Sequence, residues 1–328
     1  MPLCSIDISG LLICVEHTNI LEMANIFFTF FKKYVIMIPR VAVYCCYGGG
    51  HCLKTLFISD LDGTLLSPEP AITEFTADAV NSAISAGAYF TFATARSVYS
   101  AVPITARLNI NVPCLLMNGV SIYDLRDKCY INSEFIPMAA SAEVLKAFER
   151  HNVRCFMYRI YDGILTCYYS ALTTKVMRSF AESRKNEYKK PFIQLDRLID
   201  KADERTVYYT TTGPYETLLP VKLEVEKIRG VDCAFYLDVY NGEWYLEIFS
   251  DKASKSNGLK CLRSRYGFDR IVAFGDNLND LPMFEQADVK IAVGNAREEV
   301  RAAADIVIGN NSDDGVAKWL MEHCKFYG

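Results

Sequence analysis

Apolar runs that end in polar residues recur along this chain and predict the strands of a parallel sheet. Residues 55–58, 89–93, 114–117 and 271–274 are apolar at most positions, as strands buried on both faces are. Helical patterns separate these runs. Alternating strands and helices are typical of an α/β fold with a parallel sheet, which is therefore the predicted fold class.

Capping residues predict where the intervening helices begin and end. Thr73 precedes a helical pattern that closes at Gly87, residues 97–107 form a second pattern, and residues 255–266 form a third. Each pattern lies between predicted strands, as the crossover connections of a parallel sheet require.

The pattern changes between about residues 133 and 241. Segments at 154–159 and 164–169 are rich in tyrosine, alternate in polarity and are joined by a turn at 161–163, which predicts a β-hairpin. Three helical patterns accompany them, at residues 140–150, 172–187 and 221–229. Pro220 is expected to mark the start of the last helix. We therefore predict an α+β insertion at 133–241, in a core made of residues 53–132 and 242–328.

The first 52 residues lie outside this organisation. Five of the twelve cysteines fall there, and basic residues interrupt apolar runs such as 24–31, which disfavours a membrane-spanning helix. We expect a non-domain extension and a functional start at Leu53, because codons for the glycines at 48–50 can resemble a bacterial ribosome-binding site. A membrane-associating or regulatory extension is the alternative.

Polar side chains follow the predicted strands at the points where they end. Asp60 and Asp62 follow the first strand, Thr94 the second, and Asp276 and Asp280 the last. The carboxyl ends of parallel strands meet at one edge of the sheet, where ligands bind. We therefore expect these side chains to converge on one crevice.

The chemistry of this crevice favours a metal ion and a phosphate group. Four aspartates crowded together repel one another, and with no His or Cys nearby their oxygens suit Mg²⁺ better than Ca²⁺. Lys255 and the Thr94 hydroxyl would bind phosphoryl oxygens beside that metal. Aspartates at positions i and i+2 can divide the work, since one can attack while the other moves protons.

Together these segments resemble the motifs of a known family. Asp60-Leu61-Asp62-Gly63-Thr64, Thr94-Ala95-Arg96, Lys255 and Gly275-Asp276-Asn277-Leu278-Asn279-Asp280 resemble the haloacid dehalogenase (HAD) superfamily of phosphohydrolases, within it the Cof-type branch (subfamily IIB). The resemblance extends from about Lys54 to the C-terminus. It implies a Rossmann-like, doubly wound parallel-sheet core with an inserted α+β cap domain that closes over the crevice.

The resemblance also implies catalytic roles. Asp60 would be the nucleophile that becomes an aspartyl-phosphate, and Asp62 the general acid that protonates the leaving oxygen and later activates water. The side chains of Thr94 and Lys255, with the backbone at Ala95, would hold the phosphoryl group.

The implied metal site uses the same aspartates. Mg²⁺ would be bound by Asp60, by the backbone carbonyl of Asp62 and by Asp276. Asp280 and Asn279 would support the metal and the phosphate group.

Two positions depart from the family pattern. Ala95 and Ser256 stand where glycine is commoner, and the second departure leaves Lys252 as a competitor for the catalytic lysine. Lys255 is preferred because it lies at the start of a predicted helix.

Two other classes of protein share part of this pattern. A receiver-like, phospho-accepting regulatory protein also has an aspartate at a strand end, but it is shorter and lacks an equivalent of Asp62. A sugar phosphomutase has both aspartates and differs in the fate of its phosphorylated intermediate. We predict a Mg²⁺-dependent phosphatase that hydrolyses a small phosphomonoester. The tyrosines of the insertion, with basic residues such as Arg159 and Arg178, favour a sugar phosphate or similar metabolite.

The composition restricts the classes of partner and the cellular compartment that are expected for this protein. A net charge of −4 and a pI near 5.7 provide no basic field for nucleic acid. No run of about 18 apolar residues exists, so neither an ion-pumping ATPase nor a membrane partner is expected. The twelve cysteines include no C-x-x-C pair, which favours reduced core thiols in a cytoplasmic protein.

Overall fold

The computed structural model describes residues 53–238 and 242–324, together with two short strands near the N-terminus. These strands, β1 (Ile6–Ile8) and β2 (Leu11–Ile13), pair antiparallel. The chain divides into two units, Met1–His51 and Cys52–Gly328. Apart from the two strands, the predicted extension at 1–52 lies outside the described residues.

The second unit contains both strands and helices throughout. Its strands are β3 (Thr55–Ser59), β4 (Tyr89–Phe92), β5 (Cys114–Leu116), β6 (Ser121–Asp124), β7 (Cys129–Ser133), β8 (Phe156–Tyr161), β9 (Ile164–Tyr169), β10 (Phe192–Gln194), β11 (Thr206–Gly213), β12 (Val231–Leu237), β13 (Trp244–Ser250), β14 (Arg270–Gly275), β15 (Val289–Ala292) and β16 (Ile306–Val307). Its α-helices are α1 (Glu74–Ser85), α2 (Val98–Ile104), α3 (Met138–Arg150), α4 (Lys175–Asn186), α5 (Tyr215–Val225), α6 (Lys255–Tyr266), α7 (Leu281–Phe284), α8 (Glu298–Ala303) and α9 (Gly315–His323).

A five-stranded parallel sheet forms the core, in the order β16-β15-β14-β3-β4. The predicted strands at 55–58, 89–93 and 271–274 all belong to it, so the predicted α/β, Rossmann-like core is confirmed. The predicted strand at 114–117 is present as β5, but it lies in a separate antiparallel sheet, in the order β5-β6-β7. A parallel bridge between Ala93 and Leu115 connects β5 to the end of β4. The chain proceeds from β3 to β4 on one side and from β14 to β15 on the other. The order of the strands therefore reverses between β3 and β14, which is where ligands bind in such sheets.

Helix ends follow their capping chemistry. The Thr73 hydroxyl accepts a hydrogen bond from the Thr76 N–H (3.0 Å) at the start of α1, as predicted. Ser254 caps α6 in the same way, and the helix ends before Gly267 at φ +64°. α2 ends at Ile104, three residues before the predicted position 107, and Pro103 lies in its last turn.

Apolar packing fixes the central strands from which the site projects. Every residue of β3 is buried. Trp319 of α9 packs edge-on against Phe57 of β3 and Phe274 of β14, with ring centroids 6.4 and 5.3 Å apart. Edge-to-face contacts of this kind fix the positions of neighbouring strands. The residues at the carboxyl ends of β3 and β14 therefore project from a well-packed part of the core.

The insertion contains a six-stranded sheet in the order β10-β9-β8-β11-β13-β12, in which only β10 and β9 pair parallel. The predicted hairpin is present as β8 and β9, and Asp162 and Gly163 take positive φ angles in its turn. One face of the sheet packs on α3 and α5. The other packs on α4 and on Met117 and Val120 of the core. We call this insertion the cap.

Two details of the cap differ from the sequence expectation. Pro220 does not start a helix but lies inside α5, because Leu218, Val221 and Val225 bury apolar surface on the sheet that outweighs one missing hydrogen bond. β13 pairs with β11 and β12, so the boundary expected after residue 241 falls between two strands of one sheet. We therefore propose that the cap ends after Ser250.

Among the described residues, no helix combines the length and apolar character needed to cross a membrane.

Candidate active site

A buried lysine joins two of the predicted aspartates. Lys255 Nζ lies 2.5 Å from Asp60 Oδ1 and 2.7 Å from Asp280 Oδ1, and all three side chains are buried. Asp60 directly follows β3, and Lys255 is the first residue of α6. Burial raises the pKa of Asp60 well above its usual range, and the charge of Asp280 adds to this while Lys255 opposes it.

Asp280 anchors the loop that follows β14. Its Oδ2 accepts hydrogen bonds from the N–H groups of Asp276 (2.9 Å) and Asn277 (3.0 Å), while its Oδ1 binds Lys255. Both carboxylate oxygens are therefore occupied. Asp280 fixes the direction in which Asp276 leaves the strand, which fits a supporting role at the metal site.

Asp276 is held by the loop after β3. The Thr64 hydroxyl donates a hydrogen bond to Asp276 Oδ1 (2.6 Å). A Cβ atom on Gly63, which has φ +80°, would lie 2.4 Å from Asp276 Oδ2, so only glycine allows this approach. Burial raises the pKa of Asp276 to about 6, and the neighbouring Asp280 contributes in the same direction.

These contacts assemble a cluster that can hold a metal ion. One carboxylate oxygen each from Asp60, Asp276 and Asp280 lie within 4.8 Å of one another. A set made only of carboxylate oxygens suits a hard divalent cation, whose charge would offset the burial and the repulsion that raise the pKa values of Asp60 and Asp276.

Asp62 lies apart from this cluster. The Arg96 guanidinium donates two hydrogen bonds to its carboxylate, from Nε (2.8 Å) and from a terminal nitrogen (2.6 Å). The Asp62 side chain is 49% exposed, so it borders the opening of the crevice. Burial alone would lower the pKa of Arg96, but Asp62 and Tyr188 of the cap raise it overall. No role was predicted for Arg96.

Thr94 links the strand-end loops. It is buried, and its hydroxyl oxygen accepts a hydrogen bond from the Arg96 N–H (3.1 Å), while its carbonyl accepts one from the Asn118 N–H (2.9 Å). Ala95 is exposed at the surface of the same loop. The loop therefore has the position expected for phosphate contacts, at the ends of β4 and β5.

Asn118 is a site residue that the sequence interpretation missed. Its side-chain oxygen accepts a hydrogen bond from Asn279 Nδ2 (3.1 Å), and its φ angle is +56°. A Cβ atom on Gly119 would lie 2.1 Å from the carbonyl oxygen of Ser254, so this loop packs directly on the start of α6. The signal was available, because Asn118-Gly119 follows a predicted buried strand as the other clusters do.

Several basic and aromatic side chains of the cap contact other parts of the cap. Arg159 is buried and binds Asp203 through two hydrogen bonds, and Arg178 donates to the Leu172 carbonyl. Four of the eight tyrosines on the described strands of the cap sheet are buried, namely Tyr158, Tyr168, Tyr208 and Tyr209. These side chains therefore build the cap itself, which weakens the case for Arg159 and Arg178 as substrate contacts.

Known proteins resemble this chain over most of its length. A family model described as haloacid dehalogenase-like hydrolase matches residues 57–320. Pyridoxal phosphate phosphatase of Escherichia coli is 26% identical over 273 residues, which cover 80% of this chain and 96% of that protein. A crystal structure of a protein from Thermotoga maritima is 27% identical, with a TM-score of 0.68 over 81% of this chain and 96% of the other.

A third similarity concerns the fold alone. A structure described as a HAD subclass IIB sugar phosphatase has a TM-score of 0.61 at 20% identity, over 82% of this chain and 98% of that protein. The expected architecture, a parallel-sheet core with an inserted α+β cap, therefore agrees with a known fold.

Proposed function

The chain belongs to the haloacid dehalogenase-like hydrolase family, and we propose that it is a Mg²⁺-dependent phosphatase that hydrolyses small phosphomonoesters. The observation that carries this proposal is the buried contact of Lys255 with Asp60, inside a carboxylate cluster at the reversal point of a parallel sheet. A nucleophile, a cation and a metal-binding set lie together there. The phosphatase names of relatives such as the Escherichia coli protein support the same class.

Asp60 is the proposed nucleophile. One carboxylate oxygen forms a bond to phosphorus while the bond from phosphorus to the leaving oxygen breaks, which gives an aspartyl-phosphate. Water then attacks the same phosphorus atom, releases inorganic phosphate and regenerates Asp60. Lys255, the Thr94 hydroxyl and the N–H at Ala95 would bind the phosphoryl oxygens during both steps.

Mg²⁺ is the proposed metal. Asp60, Asp276 and the backbone carbonyl of Asp62 would bind it, with Asp280 anchoring the cluster and Asn279 supporting it. When bound, Mg²⁺ neutralises charge on the transferring phosphoryl group and keeps the carboxylates ionised.

Asp62 is the proposed proton carrier. At the opening of the crevice Asp62 would reach the leaving oxygen of a bound ester, and Arg96 donates hydrogen bonds to both of its carboxylate oxygens. To act as an acid in the first step it must carry a proton on one oxygen, so we expect the Arg96 hydrogen bond to that oxygen to break when the substrate binds. The acid role therefore predicts movement of this side chain.

The structural setting of the cysteines agrees with a cytoplasmic enzyme. The described part of the chain contains seven free cysteines, and Cys114, Cys155 and Cys167 are buried without a disulfide. Reduced thiols of this kind are typical of the cytoplasm, so we place the enzyme and its phosphorylated substrate there.

Release of inorganic phosphate tests the proposal. Purified protein with Mg²⁺ should release phosphate from an aryl phosphate and from sugar phosphates without added bisphosphate, and Asp60→Asn should abolish this. A requirement for a sugar bisphosphate, with an isomerised product, would instead support the phosphomutase. A stable phospho-protein without turnover would support the phospho-accepting protein.

A further inference from the structure

Lys190 is a buried cation without a carboxylate partner. It lies between α4 and β10, and only 5% of its surface is exposed. Within residues 53–238 and 242–324, no acidic side chain pairs with it. Its Nζ lies 4.0 Å from the centroid of the Tyr158 ring and 5.9 Å from that of Phe192. Aromatic rings offset only part of the cost of burying an ammonium group, so an anion is missing here.

A second cation lies beside it. The Arg184 guanidinium rests on the rings of Phe180 and Tyr188, at 5.0 and 5.1 Å, and it forms no ion pair among the described residues. Burial, together with repulsion from Arg184, lowers the pKa of Lys190 to about 8, although the nearby Cys167 acts in the opposite direction. Lys190 therefore remains charged at neutral pH, and two positive charges stand together without a negative one.

These cations belong to the side of the cap that meets the catalytic core. Tyr188 contributes to the raised pKa of Arg96, which binds Asp62, so it lies near that ion pair. Tyr158, on which Lys190 rests, packs in the same apolar cluster as Met117, from the core loop that follows β5. A ligand in the crevice would thus meet Tyr188 and its neighbours on the cap.

We propose that Lys190 and Arg184 form a second anion-binding site, and that the preferred substrates are phosphomonoesters carrying another anionic group, either a carboxylate or a second phosphate. This inference rests on the proposed phosphatase function. The second anion would supply the countercharge that the cap lacks, while the phosphoryl group to be removed binds near Lys255. Specificity would then come from the cap, and chemistry from the core.

The alternative is that Lys190 only packs on Tyr158 and Phe192. The two hypotheses differ in their prediction for substrates that differ by one charge. We would compare kcat/KM for 4-carboxyphenyl phosphate, its neutral analogue 4-carbamoylphenyl phosphate, and 1,4-phenylene bisphosphate. The wild-type enzyme should prefer at least one of the anionic esters over the neutral ester by about tenfold, mainly through KM. The anionic ester with the higher kcat/KM shows whether the second site prefers a carboxylate or a phosphate.

Variants assign the preference to the site. Lys190→Met should bring the ratio of charged to neutral ester close to one, and Lys190→Arg should keep it. Lys185→Met removes an exposed lysine of α4 and should leave the ratio at the wild-type value. Because the ratio is measured within one variant, a general loss of activity does not affect it.

Each other outcome overturns the inference. A wild-type ratio near one excludes the second anion site, while hydrolysis of the neutral ester would leave the phosphatase proposal intact. An unchanged ratio in Lys190→Met, or in Arg184→Met if Lys190→Met does not fold, assigns the preference elsewhere. If the wild-type enzyme hydrolyses none of the esters, the proposed function fails and the inference fails with it.

Discussion

Lys255 Nζ lies 2.5 Å from Asp60 Oδ1, although the two residues are 195 positions apart in the chain. The aspartate directly follows β3 and the lysine lies in the first turn of α6, so the contact exists only in the folded core. Both groups are buried, and each depends on the other for compensation of its charge.

Replacing this lysine should affect both activity and stability. Lys255→Met leaves Asp60 and Asp280 without their buried cation, so we expect a loss of kcat of about 10³-fold and a loss of about 3 kcal/mol in the free energy of unfolding of the metal-free protein. Steady-state kinetics and urea unfolding measure the two effects. Lys252→Met is the matched control, because Lys252 is exposed and was the competing candidate. A larger effect of the control would contradict the assignment.

The convergence of the site residues could be predicted from the sequence because of their positions relative to the predicted strands. Asp60, Thr94 and Asp276 each follow a buried strand, and parallel strands place such positions at one edge of the sheet. Lys255 was predicted through its place at the start of a helix. These predictions depended only on local sequence patterns and on the topology of a parallel sheet, and the structure has the expected strands and helix start.

Other features depend on long-range contacts that no local pattern encodes. The pairing of Asp62 with Arg96 depends on the conformations of two separate loops. β13 joins the cap sheet through register with strands far away in sequence. Lys190 follows another lysine, so the local sequence predicts an exposed side chain. In the structure, packing against Tyr158 and Phe192 buries it. In each case the tertiary fold decides.

The position of Asp62 predicts a dependence on the leaving group. Asp62→Asn cannot donate a proton, so esters with poorly leaving alkoxides should lose about 10²-fold or more in kcat/KM, whereas an aryl phosphate should lose much less. Parallel assays with a sugar phosphate and 4-nitrophenyl phosphate measure the difference. Melting temperatures should show that the variant is folded. Equal losses on both esters would remove Asp62 from the acid role.

The carboxylate cluster predicts that Mg²⁺ stabilises the protein. Because burial and Asp280 raise the pKa of Asp276 to about 6, a cation should relieve unfavourable charge and add about 2.7 kcal/mol when present at about 100 times its Kd. Chelation should abolish activity and lower the melting temperature. Asp276→Asn should lose the Mg²⁺-dependent shift, while Asp251→Asn, at an exposed aspartate, should keep it. An unchanged shift in Asp276→Asn would place the metal elsewhere.

The burial of Lys190 predicts how stability depends on pH. Its pKa falls from 10.5 to about 8 on folding, chiefly through burial and also through Arg184. Between these two values the unfolded chain binds more protons than the folded one, so wild-type stability should rise with pH relative to Lys190→Met. Across the window the difference should change by up to about 3 kcal/mol, in favour of the wild type.

Urea unfolding of both proteins from pH 7 to pH 10.5 measures this difference, and groups that titrate in both proteins cancel. Below pH 8 Lys190→Met should be at least as stable as the wild type, because it removes a buried charge without an anion. Parallel stability curves for the two proteins would show that Lys190 gains a compensating partner on folding. That result would also remove the missing countercharge from which the second anion site is inferred.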